Sequence, residues 1–148
     1  LRGESRVGDN IRLQGLRLVG ANGREISQAR AGETVYVDLY WAADAPVAAD
    51  YTAFVHLLGA AFNPASGGPV WAGHDGPPAG GAYPTSWWDG RTVVRDRHPL
   101  VLPDDIPPGE YSLEVGMYAA DGKRLPTAGV GAEPDQGRIT APGLTIVP

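Results

Sequence analysis

Residues 107–123 read PPGEYSLEVGMYAADGK, and this stretch decides the fold class. A Pro/Gly turn gives way to strict alternation: Tyr111, Leu113, Val115 and Met117 fall on one parity, Ser112, Glu114 and Tyr118 on the other. Successive side chains of a strand point to opposite faces, so this is a strand with one face in a core. The Asp121-Gly122 pair that follows is a strong two-residue hairpin signal, with a return strand expected near 124–127.

The same period recurs to either side. Residues 33–42, ETVYVDLYWA, set Val35, Val37, Leu39 and Trp41 against Tyr36, Asp38 and Tyr40. Residues 51–58, YTAFVHLL, are apolar on both parities, as for a central strand covered on both sides. In NIRLQGLRLV, residues 10–19, the apolar parity changes across Gly15, and a β-bulge there restores one buried face. ARAGE at 29–33 reads as a loop, 70–74 as a short strand, 91–102 as a strand interrupted or bent at Pro99 and hence at a sheet edge or a bulge, and 143–147 as the last strand. No 3.6-residue period and no internal repeat occurs. The pattern predicts an all-β fold, a single antiparallel two-sheet β-sandwich spanning 1–148, immunoglobulin-like, with a jelly roll as the alternative. Tyr111, at a strand start after a Pro/Gly turn, is the candidate for a hydroxyl that bonds back onto the corner before it.

Composition narrows the function classes. The chain carries 21 Gly and 14 Pro, yet 43% hydrophobic residues and clean alternation argue for a folded, turn-rich domain rather than disorder. It has no Cys, which removes disulfides, thiolate metal sites and thiol catalysis. The net charge is −5, and the basic residues, eleven Arg and Lys123, are scattered. A nucleic-acid partner, which would need a basic patch, is not expected. No apolar run is long enough to span a bilayer. The chain begins at Leu1 without a leader-like segment, and so reads as a piece excised from a longer protein.

The segment 71–96, WAGHDGPPAGGAYPTSWWDGRTVVRD, holds three of the four Trp in a run too Gly-rich for a regular element. Neighbouring residues on an extended chain point opposite ways, so one of Trp87 and Trp88 can anchor while the other is exposed. Tyr83, Trp87 and Trp88, with Asp75, Asp89 and Arg95 at the edge, form the candidate ligand-binding set. An aromatic platform beside charged groups suits a sugar, whose CH face stacks on a ring while its hydroxyls bond the charged edge. The bland alternative is that the indoles only cap the open edge of the sandwich.

Other constellations read as structural. His74-Asp75 offers two ligands, with only His56 and His98 as further imidazoles, where zinc needs three or four convergent groups. No metal or cofactor is expected. Asp75, Asp89, Asp96 and Glu114 are the acids available for glycoside hydrolysis, which requires two carboxyls held across a cleft. Asp89 beside Gly90 is a turn residue by type. In Arg95-Asp96-Arg97 the arginines share a face; an inward Asp96 would need donors, which the backbone of 75–83 could supply. No catalytic residue is assigned.

The motifs VYVDLYWAA, DYTAFVHLL, HDGPPAGGAYPTSWWDG, VVRDRHPLVLP and PPGEYSLEVGMYAADGKRLP together resemble the β-sandwich domain that follows the transmembrane part of large bacterial membrane glycosyltransferase-like proteins. The resemblance covers about residues 9–147, with His74–Gly90 its most specific part; Phe62–Val70 departs from the expected shorter hairpin, as a local insertion. It implies an extracytoplasmic, non-catalytic accessory domain, attached to the membrane through its parent, docking on that parent's transmembrane part or binding a glycan of the cell envelope. It carries no functional residues over to this chain. A polysaccharide hydrolase is the alternative.

Overall fold

In the computed structural model, which describes residues 3–148, alternation becomes two sheets closed over one core. Eleven strands form: β1 (Ser5–Val7), β2 (Ile11–Val19), β3 (Gln28–Arg30), β4 (Thr34–Ala43), β5 (Thr52–Asn63), β6 (Gly68–Gly76), β7 (Val93–Val101), β8 (Gly109–Tyr118), β9 (Thr127–Gly129), β10 (Ala132–Glu133) and β11 (Arg138–Val147). One sheet runs β7-β4-β2-β1-β9; the other runs β10-β11-β8-β5-β6, with β3 added along β11. The β2-β4-β7 and β11-β8-β5-β6 neighbourhoods follow the A-B-E and G-F-C-C′ order of an immunoglobulin-type sandwich.

The inward parities are those expected. Val35, Val37, Leu39, Trp41, Val55, Leu57, Leu113, Val115 and Met117 are all buried in one cluster shared by both sheets. Tyr111 makes the corner, its hydroxyl donating to the Pro107 carbonyl at 2.7 Å. A register shift between Leu13 and Gly15 against β4 is the expected bulge, and it returns Leu18 to the buried face. Pro99 lies in β7, the edge of its sheet, where a missing N–H breaks no ladder.

Four local expectations change. ARAGE is not only a loop, because Gln28–Arg30 pairs with β11, and does so in parallel, so the sandwich is not wholly antiparallel. The chain after Asp121-Gly122 makes a single bridge, Tyr118 to Arg124, and Thr127–Gly129 then crosses to pair β1 in the other sheet. The strand at 70–74 extends over Gly68–Gly76, and Phe62–Val70 forms the far end of the β5–β6 hairpin, with Phe62 exposed. The last strand, expected over 143–147, starts at Arg138; its register shifts between Pro142 and Thr145, where a Cβ on Gly143 would stand 2.4 Å from the Tyr111 carbonyl oxygen, so only glycine allows this approach. Helical structure among the described residues is limited to three 3₁₀ turns: η1 (Pro78–Gly81), η2 (Thr85–Trp87) and η3 (Pro134–Gln136).

Candidate functional site

The connection from β6 to β7, residues 77–92, is built by its prolines and fixed by hydrogen bonds at both ends. Pro77 and Pro84 are extended and introduce η1 and η2. Trp88 is buried at 1% exposure, and its Nε1 donates to the Tyr83 carbonyl at 2.9 Å. Thr85 is fully buried: its hydroxyl donates to the Ala49 carbonyl at 2.6 Å and accepts from the Tyr51 amide at 2.9 Å. The Ser86 amide donates to Asp50, whose carboxyl is held below its usual range by its hydrogen bonds with Ser86. Val47 N–H donates to the Trp88 carbonyl at 3.3 Å. These bonds lace the loop onto the β4–β5 connection, and so it is neither free nor a simple plug.

One indole remains outside. Trp87 is 65% exposed and meets Tyr83, 39% exposed, edge to face with ring centroids 6.2 Å apart. Such a pair presents apolar area at a small entropic cost, each ring having only two torsions to freeze. The structure therefore separates the candidate set. Tyr83 and Trp87 stand together; Trp88 is the anchor, not a contact residue. Asp89 is exposed but caps its own turn, accepting from the Arg91 amide at 2.9 Å.

Asp75 and Arg95 stand apart from this pair, on the outer faces of the two sheets. Asp75 projects from the outer face of the six-stranded sheet, where it meets His56 at 2.9 Å and accepts from the Tyr118 hydroxyl at 2.9 Å. Arg95 is exposed on β7, opposite Tyr40 on the outer face of the five-stranded sheet. The outer faces of a sandwich point apart, and sequence proximity to the loop could not reveal this.

Two features escaped the sequence reading. The first is a groove of about 260 Å³ at the same end of the sandwich, walled by Val7, Ile11, Pro46, Val47, Tyr51 and Leu125. It shares the 44–51 connection with the aromatic loop; the apolar run Pro46-Val47-Ala48 inside a turn was the available signal. The second is a charged cluster on the outer face of the six-stranded sheet. His56 lies between Glu114, 2.8 Å from Nδ1, and Asp75, and Glu114 also accepts from Arg124 at 3.1 Å and Arg138 at 2.9 Å. Arg138 bonds Glu133 as well, and Arg124 lies 4.2 Å over the Phe54 ring. Glu114 points outward as expected, yet these partners bury it.

Electrostatics in that cluster favour permanent ion pairs. Burial pushes the Glu114 carboxyl up, but hydrogen bonds from His56, Arg138 and Arg124 outweigh it and bring the carboxyl down to about 2. Burial likewise lowers His56, while hydrogen bonds to Glu114 and Asp75 leave it above the ordinary imidazole value. A glycosidase acid must be held protonated near neutrality, the reverse of what Glu114 experiences.

Between the sheets lies a separate chain of bonds. Asp96, 1% exposed, accepts from Trp41 Nε1 at 3.1 Å and from the Ala79 amide at 2.9 Å, and meets His98 Nε2 at 2.7 Å. The inward Asp96 thus finds the loop donor expected for it. His98 Nδ1 is in turn 2.8 Å from His74 Nδ1. Among the described residues no group of three or more His, Cys, Asp or Glu is placed to hold a metal ion.

These features define a β-sandwich of immunoglobulin-type strand order with one tethered aromatic loop. Compared with models of known protein families and with curated proteins, the chain matches none. No helix among the described residues is long and apolar enough to cross a membrane.

Proposed function

We propose that this chain is a non-catalytic accessory module that binds a glycan through Tyr83 and Trp87. The observation that carries the reading is the exposure of Trp87 on a loop whose other indole is buried and which is tied down by the Thr85 hydroxyl, the Ser86 amide and the Trp88 carbonyl. An aromatic platform held still before binding loses little entropy when a sugar stacks on it. The groove beside Tyr51 offers room for further sugar units along the same end. With the resemblance of the sequence motifs, the reading extends to a membrane glycosyltransferase-like parent, an extracytoplasmic position and a cell-envelope polysaccharide as ligand.

The hydrolase alternative draws no support from the acids. Asp96 is enclosed, Asp89 is spent on a turn, and Glu114 is locked among cations. Calorimetric titration of cell-envelope oligosaccharides tests the proposal. Trp87→Ala should weaken binding by about 30-fold, the equivalent of the ~2 kcal/mol that marks an aromatic hot spot. Unchanged affinity in that variant, or turnover of chromogenic glycosides by the intact chain, would overturn it.

A further inference from the structure

We propose that His74 and His98 form a proton-operated latch that holds the aromatic loop in place at neutral pH and releases it in mild acid. The inference rests on the reading of Tyr83 and Trp87 as the binding surface only for its functional consequence; the latch itself stands on geometry.

The two Nδ1 atoms are 2.8 Å apart, a distance at which one nitrogen must donate and the other accept. His98 Nε2–H is committed to the Asp96 carboxylate at 2.7 Å. With the pair neutral, His74 Nδ1–H donates to His98 Nδ1. One added proton is still accommodated, because a single hydrogen between the two Nδ1 atoms keeps one donor and one acceptor. A second added proton places hydrogen on both Nδ1 atoms, and the contact turns repulsive. The latch therefore survives the first protonation and fails at the second, a titration that belongs to the pair rather than to either ring.

Its position makes failure consequential. β6 and β7 are edge strands of different sheets, and this is the one side-chain hydrogen bond between them among the described residues. The loop 77–92 leaves β6 two residues after His74 and returns just before β7. At its start, Ala79 has φ 55, a left-handed conformation that costs a non-glycine residue free energy and is held here by the hydrogen bond its N–H donates to the Asp96 carboxylate. Loss of the histidine contact loosens the β6 side of this arrangement, where the chain enters the strained turn at Ala79.

The ionisable groups facing the pair are few. β7 contributes Asp96, while Asp75 on β6 points to the outer face and acts on His74 only through its charge; β5 and β4 stand opposite with Val55 and Val37, and η1 offers only the Ala79 amide. Burial and the neighbouring His98 hold His74 below the ordinary imidazole value, against the pull of Asp75 and Asp96. The closed pair binds fewer protons than two free imidazoles, so closure is favoured at higher pH and is lost as pH falls below the free imidazole midpoint, about 6.5.

Hydrogen exchange of the ligand-free chain, expressed as protection factors from pH 7.5 to 4.5, tests this. The Ala79 amide and its neighbours through residue 92 should lose protection by about tenfold per pH unit below about 6.5, one proton entering per opening. Strands β4, β5 and β8 should keep theirs, and His74→Gln should show no such slope. Loop protection that is constant with pH, or the same slope in His74→Gln, overturns the latch. Imidazole ¹⁵N shifts of the unmutated chain decide independently of that variant: two protonated Nδ1 atoms while the loop stays protected would refute it. If the loop opens in acid but no glycan binds at any pH, the latch stands and the binding reading falls.

Discussion

Replacing each of the adjacent tryptophans by alanine should give two unlike proteins. Trp88 is 1% exposed and belongs to the core cluster, so its truncation removes nearly all of a side chain that buries roughly 150–250 Å². At about 25 cal/mol per Å² that area represents about 4–6 kcal/mol as an upper estimate, and measured Trp→Ala costs in cores run about 3–5 kcal/mol. The hydrogen bond from Nε1 to the Tyr83 carbonyl is lost with it, leaving an acceptor unpaired. Trp87, 65% exposed, keeps about a third of its surface out of water, and its truncation should cost under about 2 kcal/mol. Urea unfolding followed by far-ultraviolet circular dichroism measures both without relying on indole fluorescence. For a slope of about 2 kcal/mol/M, Trp88→Ala should lower the midpoint by about 2 M, and Trp87→Ala by under about 1 M. Costs within about 1 kcal/mol of each other would refute the division into anchor and platform. So would a Trp88→Ala variant that loosens only the loop, since the indole would then not be part of the core.

Leu113→Ala, at a fully buried position of β8, should cost about 2–5 kcal/mol in the same assay; a value below ~1 kcal/mol would mean the site collapses around the cavity. Tyr111→Phe removes the hydroxyl that reaches Pro107 and should cost about 1 kcal/mol, with the core otherwise intact by near-ultraviolet dichroism. Glu114, held near 2, contributes stability above the ordinary carboxylate value that is lost as pH falls from about 5 towards 2; acid unfolding of Glu114→Gln should show a shallower pH dependence over that range. His56, raised, acts in the opposite sense: its contribution is complete below about 6.5 and declines as pH rises through its folded value, so His56→Gln should lose stability at pH 6 more than at pH 9.

The chain's own order of residues determined the strands and their faces. Two-residue alternation follows from the backbone pleat, a local property, so the inward row of Val35, Val37, Leu39 and Trp41, the bulge before Leu16 and the corner at Tyr111 were legible without any partner strand. The inward Asp96 was legible for the same reason; the split of Trp87 from Trp88 was expected from an extended chain but arises at the end of the 3₁₀ turn η2. Which indole turned inward was not legible, because that depends on the bonds of Thr85 and Val47 across the β4–β5 connection. Nor was the fate of Asp75 and Arg95. Both flank the aromatic segment in sequence, yet β6 and β7 join different sheets, and each residue's parity sends it to an opposite outer face. His56 acquires its carboxylates from β6 and from β8, Glu114 lying 58 residues away, and His74 meets His98 only because two sheet edges close on one another. Pleat and turn act between neighbours along the chain; strand order and sheet pairing bring distant residues together, and the charged cluster and the histidine latch exist only at that level.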